Sequence, residues 1–387
     1  MEILEDDKNK VAIVVVGYNR IVPIKRLLQS LLSADYEGLD VPLVISIDCS
    51  GNEDLYRYVT DFKWPFGNKY VNIQRERLGL KRHILQCGDL SQLFRAIILL
   101  EDDIFVGPYF YDYTLQALKA YGDNDHIGGI SLYMNEMGDY NVPVSYYHDG
   151  SDIFLRQRTA SWGECWSKSQ WAQFRLWLEG FIDEDFAKVD MPEMIKGWTK
   201  AWTKYHIAYL IETKKYVVYP YVSHTTCFSD AGEHYERLSM GGQSTLMPEK
   251  KEYVFRPFGD MVKYDVYWVN ENVYDWLGLG KDEVCVDWYG LSQNHRKCRY
   301  LLTPLKLALP IIRSYGLYLR PIELNVKYAI EGKGLFLYDT ADGLSYAAAG
   351  KNTRDLMDYC IRDLNIRMLR RYVIYDLIWK IKTKILK

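Results

Sequence analysis

Hydrophobic and polar positions alternate in long blocks over the first 120 residues. Residues 11–16 form an uninterrupted apolar run closed by Gly17, the pattern of a strand buried on both faces. Pro23 then opens a helical spacing through Ile24, Leu27, Leu28, Leu31 and Leu32, since proline is tolerated in the first turn of a helix. A second strand is expected over 41–47, ending at Asp48, with a helix-like segment after Gly51. Residues 70–73 read as a third strand, 81–95 as a helix, 97–100 as a fourth strand, and a helix follows Pro108 to Lys119. This alternation predicts an α/β fold with a parallel sheet. Such sheets collect ligands at the carboxyl ends of their strands, where Arg20, Asp48 and the triplet Glu101, Asp102 and Asp103 fall.

The triplet carries the strongest chemical signal. Three carboxylates at the end of a buried strand repel one another unless a cation or a hydrogen-bond donor sits among them. A hard divalent ion takes oxygen ligands and commonly shares one or two carboxylates with the phosphates of a substrate. The plainer alternative is a solvated acidic turn.

Composition narrows the classes. The 387 residues can bury a large core, and 48% hydrophobic with 26% charged residues is globular rather than disordered. A net charge of −3 gives no basic field for nucleic acid, so no nucleic-acid partner is expected. The 33 Tyr and 11 Trp suit stacking on sugars as well as ordinary core packing. Seven dispersed cysteines without a CxxC pair fit reduced thiols, and the acidic start shows no signal-peptide pattern, so a cytoplasmic location is expected. No run of about 18 apolar residues predicts a spanning helix.

Four segments in order resemble a known family: Val-Val-Gly-Tyr-Asn-Arg at 15–20, Ile-Ser-Ile-Asp-Cys-Ser-Gly-Asn-Glu at 45–53, Gly-Leu-Lys-Arg-His at 79–83, and Leu-Glu-Asp-Asp-Ile-Phe-Val-Gly-Pro-Tyr-Phe at 100–110. They look like the nucleotide-sugar half of N-acetylglucosaminyltransferase I and its bacterial relatives among family 2-type glycosyltransferases, over roughly residues 10–240. The resemblance implies a GT-A fold and a nucleotide-diphosphate sugar donor, a UDP sugar first. It implies that Gly17, Tyr18, Arg20, Asp48 and His83 surround the nucleotide, with Glu101 and Asp102 beside them. Asp103 would hold the metal, Mn²⁺ or Mg²⁺, bridging the diphosphate. Trp162, Gly163 and Glu164 would form an acceptor wall, and Ser229 and His234 would sit in a loop over the diphosphate. The acceptor would be a glycan or a lipid-linked glycan, in the synthesis of surface polysaccharide.

One departure matters. An inverting transferase needs a carboxylate to take the acceptor proton, and Trp198-Thr199-Lys200-Ala201-Trp202 has no acid between its tryptophans. Asp190 or Glu193 is the expected base, with Glu164 a further candidate. A nucleotide-sugar or glycan-binding protein without catalysis is the alternative. A nucleotidyltransferase is disfavoured because the first strand leads into no long glycine-rich loop. The expected organisation is a transferase domain over 1–250, with a donor half over about 10–125 and an acceptor half over about 126–250, and then a C-terminal extension over 251–387. The extension should end in a basic amphipathic helix. Seven basic residues against one acid between 367 and 387 let the stretch 364–387 either pack on its own domain or lie on an anionic membrane surface, which would be the inner face of the plasma membrane.

Overall fold

A computed structural model describes residues 3–138, 143–199, 201–230, 242–289, 297–341, 354–361 and 365–385. The first half follows the expected alternation: β1 (Val11–Gly17), α1 (Ile21–Leu32), β2 (Leu43–Ile47), α2 (Glu53–Asp61), β3 (Lys69–Ile73), α3 (Leu80–Gly88), β4 (Ala96–Glu101), β5 (Ile104–Val106) and α4 (Phe110–Tyr121). The second half adds β6 (Ile127–Ser131), β7 (Ile153–Arg156), β8 (Glu164–Ser167), α5 (Lys168–Glu179), α6 (Glu193–Lys196), α7 (Thr203–Glu212), β9 (Tyr216–Pro220), β10 (Thr225–Cys227) and β11 (Lys263–Tyr264). Local chemistry fixes several starts. The Asn52 side chain accepts the Leu55 N–H to cap α2, and Ser167 with Gln170 forms a reciprocal capping box on α5.

Nine strands form one sheet in the order β11-β7-β9-β6-β8-β4-β1-β2-β3. Five of its eight pairings are parallel, and β8 runs against both its neighbours. The α/β expectation of a mainly parallel sheet flanked by helices therefore holds. Its alternating side chains feed two cores. Ala12, Val14, Val16, Ile97 and Leu99 pack with α3, α5 and α7, whereas Val11, Ile13, Val15, Ile98 and Leu100 pack with α1, α2 and α4. Each face of the sheet is covered, which is why the strands read as continuous apolar runs.

The order β4-β1-β2-β3 places the switch in chain direction between β1 and β4, so the crevice of the sheet opens at their carboxyl ends. The same edge receives the end of β6, the start of β8 and the chain leaving β9. The apolar stretch after the triplet is a separate strand. Asp102 and Asp103 break the run, and β5 leaves the sheet to pair with β10.

Strand β11 lies beyond residue 250 and still belongs to the main sheet, through parallel pairing with β7. After it come α8 (Asn272–Leu277), β12 (Val284–Val286), β13 (Tyr300–Thr303), β14 (Ile311–Tyr315), α9 (Leu324–Lys327), β15 (Leu335–Asp339), α10 (Arg354–Ile361) and α11 (Ile366–Ile385). Strands β12, β13, β15 and β14 make a second sheet, and its Val284, Val286, Leu302, Leu335 and Leu337 join the larger core.

The last helix differs from expectation. It forms, but it is not amphipathic. Met368, Tyr372, Tyr375 and Trp379 line one side while Ile374, Leu377 and Ile381 line roughly the opposite one. All seven are exposed. Basic residues such as Arg370 and Lys380 are interspersed among them. Among the described residues no helix is long and apolar enough to cross a membrane. All seven cysteines are free thiols.

Candidate functional site

Neighbouring side chains close in on the end of β1 because Gly17 has no side chain. A Cβ there would come within 3.0 Å of Ile47 and 3.1 Å of Ile24, and 3.8 Å from the Cβ of Asp102. Tyr18 and Arg20 follow at the mouth of the crevice. Arg20 pairs with Asp102 through two nitrogens and lies 3.3 Å from Asp103. Burial alone would lower the Arg20 guanidinium, but the two aspartates outweigh it and hold it well above its ordinary value.

One guanidinium does not neutralise three acids. Burial, with Asp103 and Asp102 close by, pushes Glu101 up to about 8, against opposing bonds from the Trp202 indole and the field of Arg20. Burial likewise pushes Asp102 up to about 6, although Arg20 pulls the other way. The end of β4 is thus short of positive charge. A divalent ion beside Asp103 would relieve that shortage, and an aspartate oxygen suits Mn²⁺ or Mg²⁺. Among the described residues no group of three or more His, Cys, Asp or Glu side chains forms a metal cage. A metal here would complete its shell with other oxygens, which fits an ion shared with a diphosphate and does not fit a structural site.

Asp48 is placed at the end of β2 but is almost fully buried, at 3% exposure. Its carboxylate accepts backbone N–H groups of Cys49, Leu78 and Gly79 at 2.9, 2.8 and 2.9 Å, so it clamps the loop leaving β3 against the end of β2. His83 is also buried. Its Nε2 meets the Ser46 hydroxyl at 2.7 Å, and burial lowers its proton affinity. It therefore faces β2 from α3 and buttresses the rim from beneath, in place of lining the nucleotide directly as the resemblance implies.

The antiparallel register pairs Leu99 with Glu164, so Gly163 and Trp162 continue alongside Leu100 and Glu101. Gly163 has φ of +110°, a conformation that favours glycine. The Thr225 hydroxyl donates to the Trp162 carbonyl at 2.6 Å, and the Trp162 ring meets Tyr133 edge-on at 4.6 Å. Glu164, in contrast, is sealed in the core at 1% exposure.

On the other flank, Asp230 pairs with Arg26, and its carbonyl accepts from Arg20 at 3.2 Å. The Arg26 guanidinium lies 3.8 Å over the Phe228 ring. Ser229 turns inward, with its hydroxyl 3.6 Å from the Cys227 sulfur and its N–H on the same atom. It is buried, which removes it as a phosphate donor in this arrangement. His234 lies outside the described residues.

The expected bases are not gathered with the triplet by these contacts. Asp190 is exposed and accepts the Tyr267 hydroxyl at 2.7 Å, on the seam with the C-terminal extension. Glu193 is exposed and pairs with Lys196 at 3.0 Å. Two site neighbours were missing from the sequence reading. The Arg77 guanidinium lies 4.7 Å over the Tyr18 ring, and the Arg26–Asp230 pair joins residues 204 positions apart. The basic run at 75–82 was a usable signal for the first. No local pattern announces the second.

No protein-family model matches the chain, and no curated protein does. Among solved structures it is similar to S. aureus TarS 1–349 in complex with UDP-GlcNAc, at 17% identity and TM-score 0.38, covering 58% of this chain and 60% of that one. TarS 1–349 in complex with UDP gives 15% identity and TM-score 0.36, covering 56% and 59%. TarS 1–349 described without a ligand gives 16% and 0.34, covering 57% and 61%. The matched part thus spans about three fifths of the length of those chains. At such identities and scores the likeness carries no inference about activity.

Proposed function

We propose that this chain is a metal-dependent glycosyltransferase that moves a sugar from a nucleotide-diphosphate donor, a UDP sugar first, to a hydroxyl of a glycan or glycoconjugate. The observation that carries the reading is the convergence at the crevice between β1 and β4. There Arg20 and three carboxylates meet at one sheet edge, and the acids remain short of positive charge. A nucleoside diphosphate with a divalent ion answers that need: Asp103 would hold the ion, and the ion would stabilise charge on the departing diphosphate. Arg20 and Arg26 are positioned to exchange their aspartate partners for phosphate oxygens. Asp48 shapes the nucleotide rim by holding the 78–79 loop.

The acceptor proton would go to a carboxylate outside the triplet, because cation and nucleotide would take up the triplet. Asp190 and Glu193 are the two exposed choices, and inversion at the sugar carbon follows from a single displacement with such a base. Glu164 leaves the set, since it is sealed from solvent and held neutral by burial.

A thermal-shift screen of nucleotide sugars with Mn²⁺ tests the reading. A UDP sugar with Mn²⁺ should raise Tm, and Asp103→Ala should remove the metal-dependent part. No metal-dependent shift with any nucleotide sugar would sink it. The absence of an acid from 198–202 favours one alternative, a binding protein without turnover. Donor hydrolysis or transfer lost in Asp190→Asn or Glu193→Gln would exclude that alternative.

A further inference from the structure

Glu164 is the most completely buried carboxylate next to the crevice, and the reaction outlined above does not use it. It opens β8, paired with Leu99 on one side and Ser131 on the other. Its Oε2 accepts the Ala160 N–H at 2.9 Å, closing the turn that contains Trp162 and Gly163. Around the other oxygen the space is tight. A Cβ on Gly129 would fall 2.5 Å from Glu164 Oε1 and 2.9 Å from the Trp166 indole nitrogen. His206, fully buried, lies 4.0 Å from Oε1 and shares a 2.6 Å hydrogen bond with Thr159, the residue before Ala160.

The turn so closed is held from outside as well. Leu132 N–H donates to the Gly163 carbonyl at 2.9 Å, and Thr225 donates to the Trp162 carbonyl. These bonds come from β6 and β10. Glu164 ties the turn to its own strand through the Ala160 N–H. The Glu164 side chain is 1% exposed, which seals it from a substrate hydroxyl in this arrangement.

We propose that Glu164 is a positioning residue, a carboxyl staple that closes the 160–164 turn and thereby holds Trp162 and Gly163 against the acidic end of β4, on the acceptor side of the cleft. The proposal rests on the reading of this edge as a donor and acceptor site. For the Ala160 bond Glu164 need supply one acceptor oxygen, which a neutral amide also offers, while its other oxygen faces the Trp166 indole. Burial keeps the carboxyl well above the ordinary carboxylate range, so a neutral replacement matches its working state.

The full chain with Glu164→Gln or Glu164→Met separates this role from catalysis and from plain core packing. Gln keeps the acceptor oxygen, whereas Met fills the same space without it. Hydrogen exchange over 157–166 should be unchanged in the Gln variant. In the Met variant it should rise about tenfold at Ala160 and its neighbours, the loss of one hydrogen bond. UDP affinity measured with Mn²⁺ should stay within about twofold in both, since the donor pocket is not touched. Turnover of a UDP sugar, with its pH profile, should survive in the Gln variant and fall in the Met variant. Unchanged exchange in the Met variant would overturn the staple. A loss of about a hundredfold or more in the Gln variant with normal exchange would make Glu164 a catalytic base instead. If wild type fails to bind UDP while the exchange pattern holds, the donor reading fails and the staple stands.

Discussion

The end of β4 and the start of β8 lie side by side on one sheet edge, and both carry acids. Their environments differ in what answers the charge. At β4, buried Asp102 and half-buried Asp103 share one guanidinium, so the acids are under-compensated. At β8, the nearest basic group among the described residues is His206 at 4.0 Å, kept neutral by burial; Glu164 has 1% exposure and accepts a backbone N–H, so it is an uncharged structural group. Two acidic neighbours in a sheet therefore differ in chemistry according to cation and water, not residue type.

The largest effect expected from breaking this contrast is at Asp103. Asp103→Ala should lower metal-dependent turnover of a UDP sugar by roughly 10²–10³-fold, whereas Glu164→Gln should change it by no more than about twofold. A comparable loss in both would erase the distinction. Next is Arg20. Arg20→Met leaves the paired acids without their cation and should cost about 2 kcal/mol in urea unfolding, less than a fully buried pair because Arg20 keeps 26% of its side chain exposed. Mn²⁺ should restore part of that stability, and should restore none in the Asp103→Ala background.

Glu164 gives a pH signature of opposite origin. Its folded-state proton affinity is raised, so the folded protein binds more protons than the unfolded chain above the ordinary carboxylate range. Stability then falls as pH rises out of that range, by up to about 1.4 kcal/mol per pH unit from this group. Glu164→Gln should remove that component of the slope in urea titrations at several pH values. A slope identical to wild type would mean that Glu164 is ionised in the fold. The smallest effect should come from Gly163→Ala, which must hold φ of +110° and brings a methyl 3.0 Å from Thr225. A loss of about 1–2 kcal/mol is expected, with UDP affinity unchanged.

The same contrast shows what the sequence could reveal. Strands β1, β2 and β4 are legible because both their faces are buried, which leaves near-continuous apolar runs ended by Gly17, Asp48 and Glu101. Strand ends gather at one edge of a parallel sheet, so the meeting of Arg20 with the triplet there follows from the sequence pattern alone. Glu164 could not be sorted in the same way. Its burial depends on the β4–β8 register and on Gly129 from β6, neither of which has a local signal. Strand β11 is two residues long, too short for any period to register. The tail failed for a different reason. Apolar residues are frequent in α11, but frequency is not segregation, and their angular spread is what decides amphipathicity.

The central claim is that the β4 end holds a metal–diphosphate site through Asp103. Calorimetric titration of UDP into wild type and Asp103→Asn, with and without Mn²⁺, tests it most directly. Saturable binding is expected, strengthened by Mn²⁺ in wild type and left unchanged by it in the variant. Equal Mn²⁺ enhancement in both proteins, or no binding of UDP to wild type under either condition, would contradict it.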